Sequence, residues 1–239
     1  YTTLFRSRFC LKGKVNEQKD KNVSILDMCT GSGCIAVSLK KLGGYASVEG
    51  ADISEEALKV AKRNSEEILE NSDVNNDAVS SRTEQIQNCT NLTNNQNKQD
   101  NSEERMVSEV RTVPQTGVIF RLSDMFSAFS ETERFNVIVS NPPYIPSAVI
   151  EELEPEVRDH EPRGALDGTA DGLYFYRILA EECAKHLTPG GHVYFEIGYD
   201  QGAAVKELLD IHGFKDTRVI QDLTGKDRVV CGTWQTAGV

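Results

Sequence analysis

The most informative stretch of this chain is Val137-Ile138-Val139-Ser140-Asn141-Pro142-Pro143-Tyr144, an apolar run that ends abruptly at two prolines. A short apolar run bounded by turn residues is typical of a buried strand, and a proline cannot donate the next ladder hydrogen bond. Pro142 also disfavours the helical region for Asn141, so we expect Asn141 at the carboxyl end of the strand. Open α/β sheets bind their ligands at that end.

The residues after this run form a set of acceptors suited to an amide or amino group. The nitrogen of such a group is a weak nucleophile, because its lone pair is delocalised, and its proton is too weakly acidic for a side chain to remove. The side-chain oxygen of Asn141 and the carbonyl of Pro142 are expected to accept its two N–H bonds, while Tyr144 stacks on the planar group. The alternative is a strand followed by a rigid turn without a catalytic role.

A glycine loop upstream is the candidate for binding the electrophile. The pattern predicts a strand over Val23–Asp27, and Thr30-Gly31-Ser32-Gly33 then leads into a helix. Glycines let the backbone approach a ligand closely near a helix N-terminus, but this spacing is neither the dinucleotide fingerprint nor a P-loop. A second predicted strand, Ala46–Ala51, ends in Asp52, where an acidic residue binds ribose hydroxyls in nucleoside-binding βαβ units. The alternative for Asp52 is a helix N-cap, although Ser54 can cap that helix by itself.

Composition argues against several classes of protein. The 239 residues suit one large α/β domain, or a domain with an appendage. A net charge of -11 with pI near 4.9 argues against a surface that binds nucleic-acid phosphates. The six cysteines and four histidines show no metal-ligand spacing, so we expect reduced thiols and no metal. We see no signal peptide or transmembrane span and expect a cytoplasmic protein.

Taken together, the motifs resemble those of the class I S-adenosylmethionine-dependent methyltransferases, and in particular the branch that methylates amino and amide nitrogens. Four later stretches resemble the peptide chain release factor glutamine methyltransferases more narrowly. The motifs of the branch are Asp27, Thr30–Gly33, Asp52, Ser123–Phe126 and Asn141–Tyr144. The four later stretches are Glu154–Arg158, Glu161–Gly168, Asp171–Leu173 and Phe195–Tyr199.

The resemblance implies a Rossmann-like doubly wound α/β sheet of strand order 3-2-1-4-5-7-6 with a C-terminal antiparallel hairpin, and it implies S-adenosyl-L-methionine as cofactor. The cofactor-binding residues would be Asp27, Cys29, Thr30, Gly31, Ser32, Gly33, Asp52, Asp124, Met125 and Asn141. Asn141, Pro142, Pro143 and Tyr144 would bind the substrate, with Asn141, Pro142 and Tyr144 catalytic. Two residues depart from the family pattern, because many relatives have Gly at the position of Cys29 and Trp at that of Met125.

The activity implied is transfer of a methyl group to the side-chain amide of the Gln in the Gly-Gly-Gln motif of class I peptide chain release factors. The partner would be the release factor as protein substrate, without direct nucleic-acid or membrane contact, and we expect a monomer. Two alternatives remain: a truncated cofactor-binding module without turnover, and a DNA adenine methyltransferase, which would need a basic groove that this acidic chain does not offer.

The predicted domain organisation is a catalytic domain over residues 23–239 that follows a non-native or linker start at 1–22. The first seven residues look like translated foreign sequence, and the helical domain that precedes the catalytic domain in the family is missing, so we expect an N-terminally truncated chain. Residues 71–116 are rich in Asn, Gln, Ser and acidic side chains, which predicts a disordered insertion.

Periodicity predicts the remaining elements of the carboxyl half. Helical spacing extends over Gly172–Leu187 and is expected to stop at Pro189-Gly190-Gly191, and a second helix is predicted over Gln201–His212. The predicted strands are His192–Ile197, Phe214–Ile220 and Val229–Thr233.

Overall fold

The computed structural model describes residues 23–69 and 117–235, so the predicted start at 1–22 and the predicted insertion at 71–116 lie outside the described residues. Within the described part, seven strands form a single sheet. They are β1 (Ser24–Met28), β2 (Ser47–Asp52), β3 (Ile119–Leu122), β4 (Phe135–Ser140), β5 (Leu187–Glu196), β6 (Lys215–Gln221) and β7 (Asp227–Thr233).

The strand order is β3-β2-β1-β4-β5-β7-β6, which is the order implied by the sequence resemblance. Neighbours from β3 to β5 pair in parallel, whereas β7 pairs antiparallel with both β5 and β6. The order reverses between β2 and β4, the two neighbours of β1, so the crevice at the ends of β1 and β4 is a topological switch point.

Helices accompany the strands in the connections. They span Cys34–Ser38, residues 55–69, Ser147–Ile150, Pro155–Arg158, Arg163–Leu166, Tyr174–His186 and Gly202–Ile211, and a π-helical turn over Leu39–Gly43 extends the first of them. The core has two parts because residues alternate along the strands. Leu26 and Ile138 belong to one apolar cluster with the helix Tyr174–His186, while Ile25 and Val137 belong to a second cluster with the helix Cys34–Ser38.

The predicted element boundaries agree with the observed ones to within two residues, except at the start of β5. The helix ends at His186 as expected, but Pro189-Gly190-Gly191 lies inside β5 instead of in a loop. A register shift in β4 opposite this segment accommodates it, and the N–H of Gly190 donates to the carbonyl of Trp234 at 2.8 Å. The backbone pairing of Gly190 and Gly191 with Trp234 therefore outweighs the tendency of Pro189-Gly190-Gly191 to form a turn.

The register brings the carboxyl ends of the central strands together. Met28 at the end of β1 pairs with Ala51 of β2 and with Ser140 of β4, and the Ser140 hydroxyl donates to the Met28 carbonyl at 2.7 Å. The glycine loop, Asp52 and the Asn-Pro-Pro-Tyr segment consequently leave the sheet at one edge.

Candidate active site

The glycine loop turns sharply as it leaves β1, and its backbone explains the residues found there. Gly31 and Gly33 have positive φ, and so does Cys29 at φ 59, where most side chains are disfavoured. This left-handed conformation favours glycine, so a Gly at position 29 would adopt it with less strain than Cys29 does. The loop is held by the N–H of Thr30, which donates to the Ala51 carbonyl at 3.0 Å.

Asp27 supports this loop from inside the protein. Its Oδ2 accepts a hydrogen bond from the Thr30 hydroxyl at 2.6 Å and another from the Ala36 N–H at 3.0 Å. Oδ1 is buried with no hydrogen-bond partner among the described residues, and burial raises the pKa of Asp27 to about 7. The carboxyl thus joins the loop to the start of the helix Cys34–Ser38.

Asp52 fastens the other side of the loop. Its Oδ2 accepts from the Gly31 N–H and its Oδ1 from the Ser54 N–H, both at 2.8 Å. The Ser54 hydroxyl accepts from the Ala57 N–H at 3.1 Å, so Ser54 caps the helix over residues 55–69. Asp52 is therefore not needed as the cap, and each of its oxygens keeps a second lone pair for a hydroxyl donor.

Met125 forms a wall of the same site. It has a φ of 46 and is buried, and the Ser123 hydroxyl donates to its carbonyl at 2.6 Å. The sulfur atoms of Cys29 and Met125 lie 3.9 Å apart, so the two residues that depart from the family pattern contact each other. Burial raises the pKa of the Cys29 thiol to about 12, which makes Cys29 a packing residue and not a reactive thiolate.

The Asn-Pro-Pro-Tyr segment lies directly after β4, as predicted. The side-chain oxygen Oδ1 of Asn141 is buried and has no hydrogen-bond partner among the described residues. Pro142 is buried and offers no backbone donor of its own. Buried acceptors in folded proteins are nearly always paired, so an unpaired oxygen on a cavity-lining residue is a candidate acceptor for a ligand.

One cavity of about 820 Å³ brings most of the predicted site residues together. Its size falls in the range of small-molecule sites. The predicted residues that line it are Cys29, Thr30, Gly31, Ser32, Asp52, Asp124, Met125, Asn141, Pro142, Pro143 and Tyr144.

Asp27 and Gly33 are the two predicted residues that do not line the cavity. Asp27 is fully buried behind the loop. A Cβ at Gly33 would lie 3.0 Å from the Ala61 Cβ, so this glycine allows the loop to pack closely against the helix over residues 55–69. Both residues therefore support the glycine loop without lining the cavity.

Sequence reasoning missed the segment that covers the other side of the cavity. This segment, the covering loop, spans Ser147–Leu166 with its three short helices, and its Val157, Glu161 and Ala165 line the cavity. Asp167 holds the two ends of the covering loop together. The Asp167 Oδ1 accepts hydrogen bonds from the Ser147 hydroxyl at 2.6 Å and from the Thr169 N–H at 2.9 Å. The motifs in this stretch identified a family but carried no periodicity from which to place the segment.

The described residues contain no cluster of His, Cys, Asp or Glu suited to a metal ion. Among the helices of residues 23–69 and 117–235, none combines the length and the apolar character needed to cross a membrane.

Comparisons with known proteins identify methyltransferases as relatives of this chain. The family model described as Eco57I restriction-modification methylase matches residues 46–195. The release factor glutamine methyltransferase of Geobacter sulfurreducens is 36% identical over 210 residues, which are 87% of this chain and 57% of that protein. The enzyme of the same name from Bacteroides thetaiotaomicron is 36% identical over 208 residues, with 86% and 58% covered. The chain thus spans little more than half the length of these relatives.

Solved structures share the fold. A methyltransferase from Pyrococcus furiosus aligns with a TM-score of 0.56 at 18% identity, covering 99% of this chain and 84% of that one. The ribosomal protein L11 methylase from Lactobacillus delbrueckii subsp. bulgaricus aligns with a TM-score of 0.53 at 15% identity, covering 96% and 77%. The predicted class I methyltransferase fold is confirmed.

Proposed function

Because this chain belongs to the family described as Eco57I restriction-modification methylase and matches release factor glutamine methyltransferases over most of its length, we propose that it methylates a glutamine side-chain amide in a protein. The methyl donor is S-adenosyl-L-methionine, and the substrate is the Gln of the Gly-Gly-Gln motif in a class I release factor. The proposal also includes a cytoplasmic location and a monomeric enzyme.

The observation that carries this proposal is the unpaired Oδ1 of Asn141. A primary amide has two N–H bonds, and a second acceptor, the carbonyl of Pro142, follows in the chain. Hydrogen bonds to both acceptors favour the form in which the lone pair is localised on nitrogen, which is the form that attacks the methyl carbon. No general base is needed before the attack, because the proton leaves after the nitrogen has become positively charged.

The residues present fit the cofactor. A Cβ built at Gly31 would have no atom within 4 Å, so the loop is open towards the cavity at this point. Asp52 offers lone pairs to ribose hydroxyls, and Met125 offers an apolar wall to adenine, with Asp124 beside it. When bound, S-adenosylmethionine would supply the electrophilic methyl group. Tyr144 would stack on the acceptor amide and hold it in line with that group.

A methyl-transfer assay tests the proposal. We expect labelled methyl groups from S-adenosylmethionine to appear on a purified class I release factor, at the Gly-Gly-Gln glutamine in peptide mass spectrometry. Asn141→Ala should abolish transfer and lower cofactor affinity much less, because the cofactor keeps its contacts with the glycine loop. Equal losses of turnover and affinity would contradict this division of roles, and methylation at another residue would refute the substrate.

Asn136→Ala is the matched control for this assay. Asn136 lies at the opposite end of β4, where its side-chain oxygen accepts from the Ser24 N–H at 2.9 Å. The variant loses stability through these hydrogen bonds but should keep its turnover below its melting temperature. A DNA adenine methyltransferase, the alternative left open by the sequence, would instead label an adenine-containing duplex in the same assay.

A further inference from the structure

We infer that Gln201 is a positioning residue for Tyr144, an inference that rests on the proposed function. Gln201 is buried at the N-cap of the helix Gly202–Ile211 and does not line the cavity. Its Oε1 accepts from the Gly198 N–H at 3.0 Å, and its Nε2 donates to the carbonyls of Tyr144 at 2.9 Å and Gly172 at 3.2 Å. One side chain therefore joins the loops after β4 and β5 to the loop that precedes the helix Tyr174–His186.

The hydrogen bond to the Tyr144 carbonyl fixes the last peptide group of the Asn-Pro-Pro-Tyr segment. The next residue is held as well, since the Ile145 N–H donates to the Leu166 carbonyl at 2.9 Å and the Ile145 carbonyl accepts from Gly168 at 2.8 Å. With the backbone held on the carboxyl side of Tyr144, the direction of its Cα–Cβ bond is set. The position and direction from which the Tyr144 side chain extends towards the cavity are therefore fixed.

Two glycines allow this arrangement by packing against the back of Tyr144. A Cβ at Gly168 would lie 2.7 Å from the Tyr144 Cα, and a Cβ at Gly172 would overlap the Tyr144 carbonyl oxygen and lie 2.6 Å from the Gln201 Nε2. Real Cβ atoms do not approach so closely, so only glycine fits at either position. The contacts explain in physical terms why this stretch of sequence is rich in glycine.

The catalytic consequence follows from how steeply methyl transfer depends on alignment. A displacement of about 1 Å between reacting groups costs on the order of 100-fold in rate. Losing the Gln201 amide frees the Tyr144 peptide and leaves its carbonyl without that donor. We expect kcat/KM for the release factor to fall about 100-fold. Cofactor affinity should stay unchanged, because among the described residues the Gln201 side chain hydrogen-bonds to Gly198, Tyr144 and Gly172 and not to the glycine loop.

The test compares Gln201→Glu with Gln201→Leu. The Glu variant keeps the size of the side chain and the acceptor for Gly198, but when ionised it has no hydrogen to donate to Tyr144. Both variants should lose kcat/KM for the release factor and keep the dissociation constant for S-adenosylmethionine. The Glu variant should recover activity relative to the wild type as the pH falls, because a protonated carboxyl donates again, whereas the Leu variant should not.

Hydrogen exchange at the amides of Ile145 and Gly168 gives a readout that does not depend on activity. It should accelerate in both Gln201 variants and stay at the wild-type rate in Gln221→Glu, a control on β6 whose amide binds Asp227. Unchanged exchange and kcat/KM would overturn the role of Gln201, and so would an equal loss of cofactor affinity. If exchange accelerates in the Gln201 variants but the wild-type protein transfers no methyl group, the positioning of Tyr144 by Gln201 is supported. Only the proposed function is then refuted.

Discussion

The titration of Asp27 predicts how the stability of this protein depends on pH. The carboxyl is fully buried, and burial raises its pKa from 3.8 to about 7 in the folded state. The folded protein therefore holds this proton more tightly than the unfolded chain does. The resulting stabilisation is fully present below pH 3.8 and is lost as the pH rises through the folded-state pKa.

The pKa difference sets the size of the effect. One pH unit inside this window corresponds to about 1.4 kcal/mol. The contribution of Asp27 to the free energy of unfolding should therefore fall by about 2 kcal/mol between pH 5 and pH 7, reach a total loss of about 3 kcal/mol by pH 8, and stay level above that. Asp27→Asn removes the titration but keeps an oxygen for Thr30 and Ala36. The variant should therefore gain about 3 kcal/mol relative to the wild type on going from pH 5 to pH 8.

Urea unfolding of both proteins at pH 5 and pH 8 measures this difference. Asp210→Asn is the control, because Lys206 and Thr217 lower the pKa of the exposed Asp210 and it stays ionised throughout this range in both states. The free-energy difference between this control and the wild type should not vary with pH. A difference for Asp27→Asn that also stays constant from pH 5 to pH 8 would refute the reasoning.

Two further predictions concern the cysteines and the glycines. Iodoacetamide at pH 8 should label the exposed Cys34 before Cys29, whose pKa is raised to about 12, and equal labelling in peptide mass spectrometry would contradict the packing role of Cys29. Gly190→Ala and Gly172→Ala both place a side chain at positive φ, at a cost of about 1 kcal/mol. Only at Gly172 does the new methyl overlap the Tyr144 carbonyl oxygen. The free energy of unfolding of Gly172→Ala, measured by thermal unfolding, should therefore fall by about 3 kcal/mol. Equal losses in the two variants would argue against the tight packing at Gly172.

The parts of this molecule that could be predicted from sequence are those with a strong local signal. The apolar run before Asn141 predicted β4, and the helical spacing after Gly172 predicted the helix Tyr174–His186. The strand order came from the resemblance to release factor glutamine methyltransferases, and the comparisons confirm that resemblance. The glycine loop and Asp52 were assigned to one cofactor, and in the structure they contact each other because parallel strands end at one edge of the sheet.

The parts that escaped prediction depend on contacts between distant residues. Gln201 is a common polar side chain at the start of a helix, and its partner Tyr144 lies 57 residues away in sequence. The covering loop has helices of only four residues, too short for a periodic pattern. The strand pairing of Pro189-Gly190-Gly191 depends likewise on Trp234, which no local rule connects to it.

The insertion of β7 between β5 and β6 has a consequence for synthesis on the ribosome. β5 is made before β7, and until residues 227–233 emerge, the edge of β5 that β7 will cover carries unpaired N–H and carbonyl groups beside the fully buried Val193 and Phe195. An exposed apolar edge invites pairing with another chain. β6 emerges before β7, and β7 is its one partner among the described strands. Its Lys215, Asp216 and Arg218 make it a poor partner for a neighbouring nascent chain. The period of greatest aggregation risk therefore ends with the completion of β7.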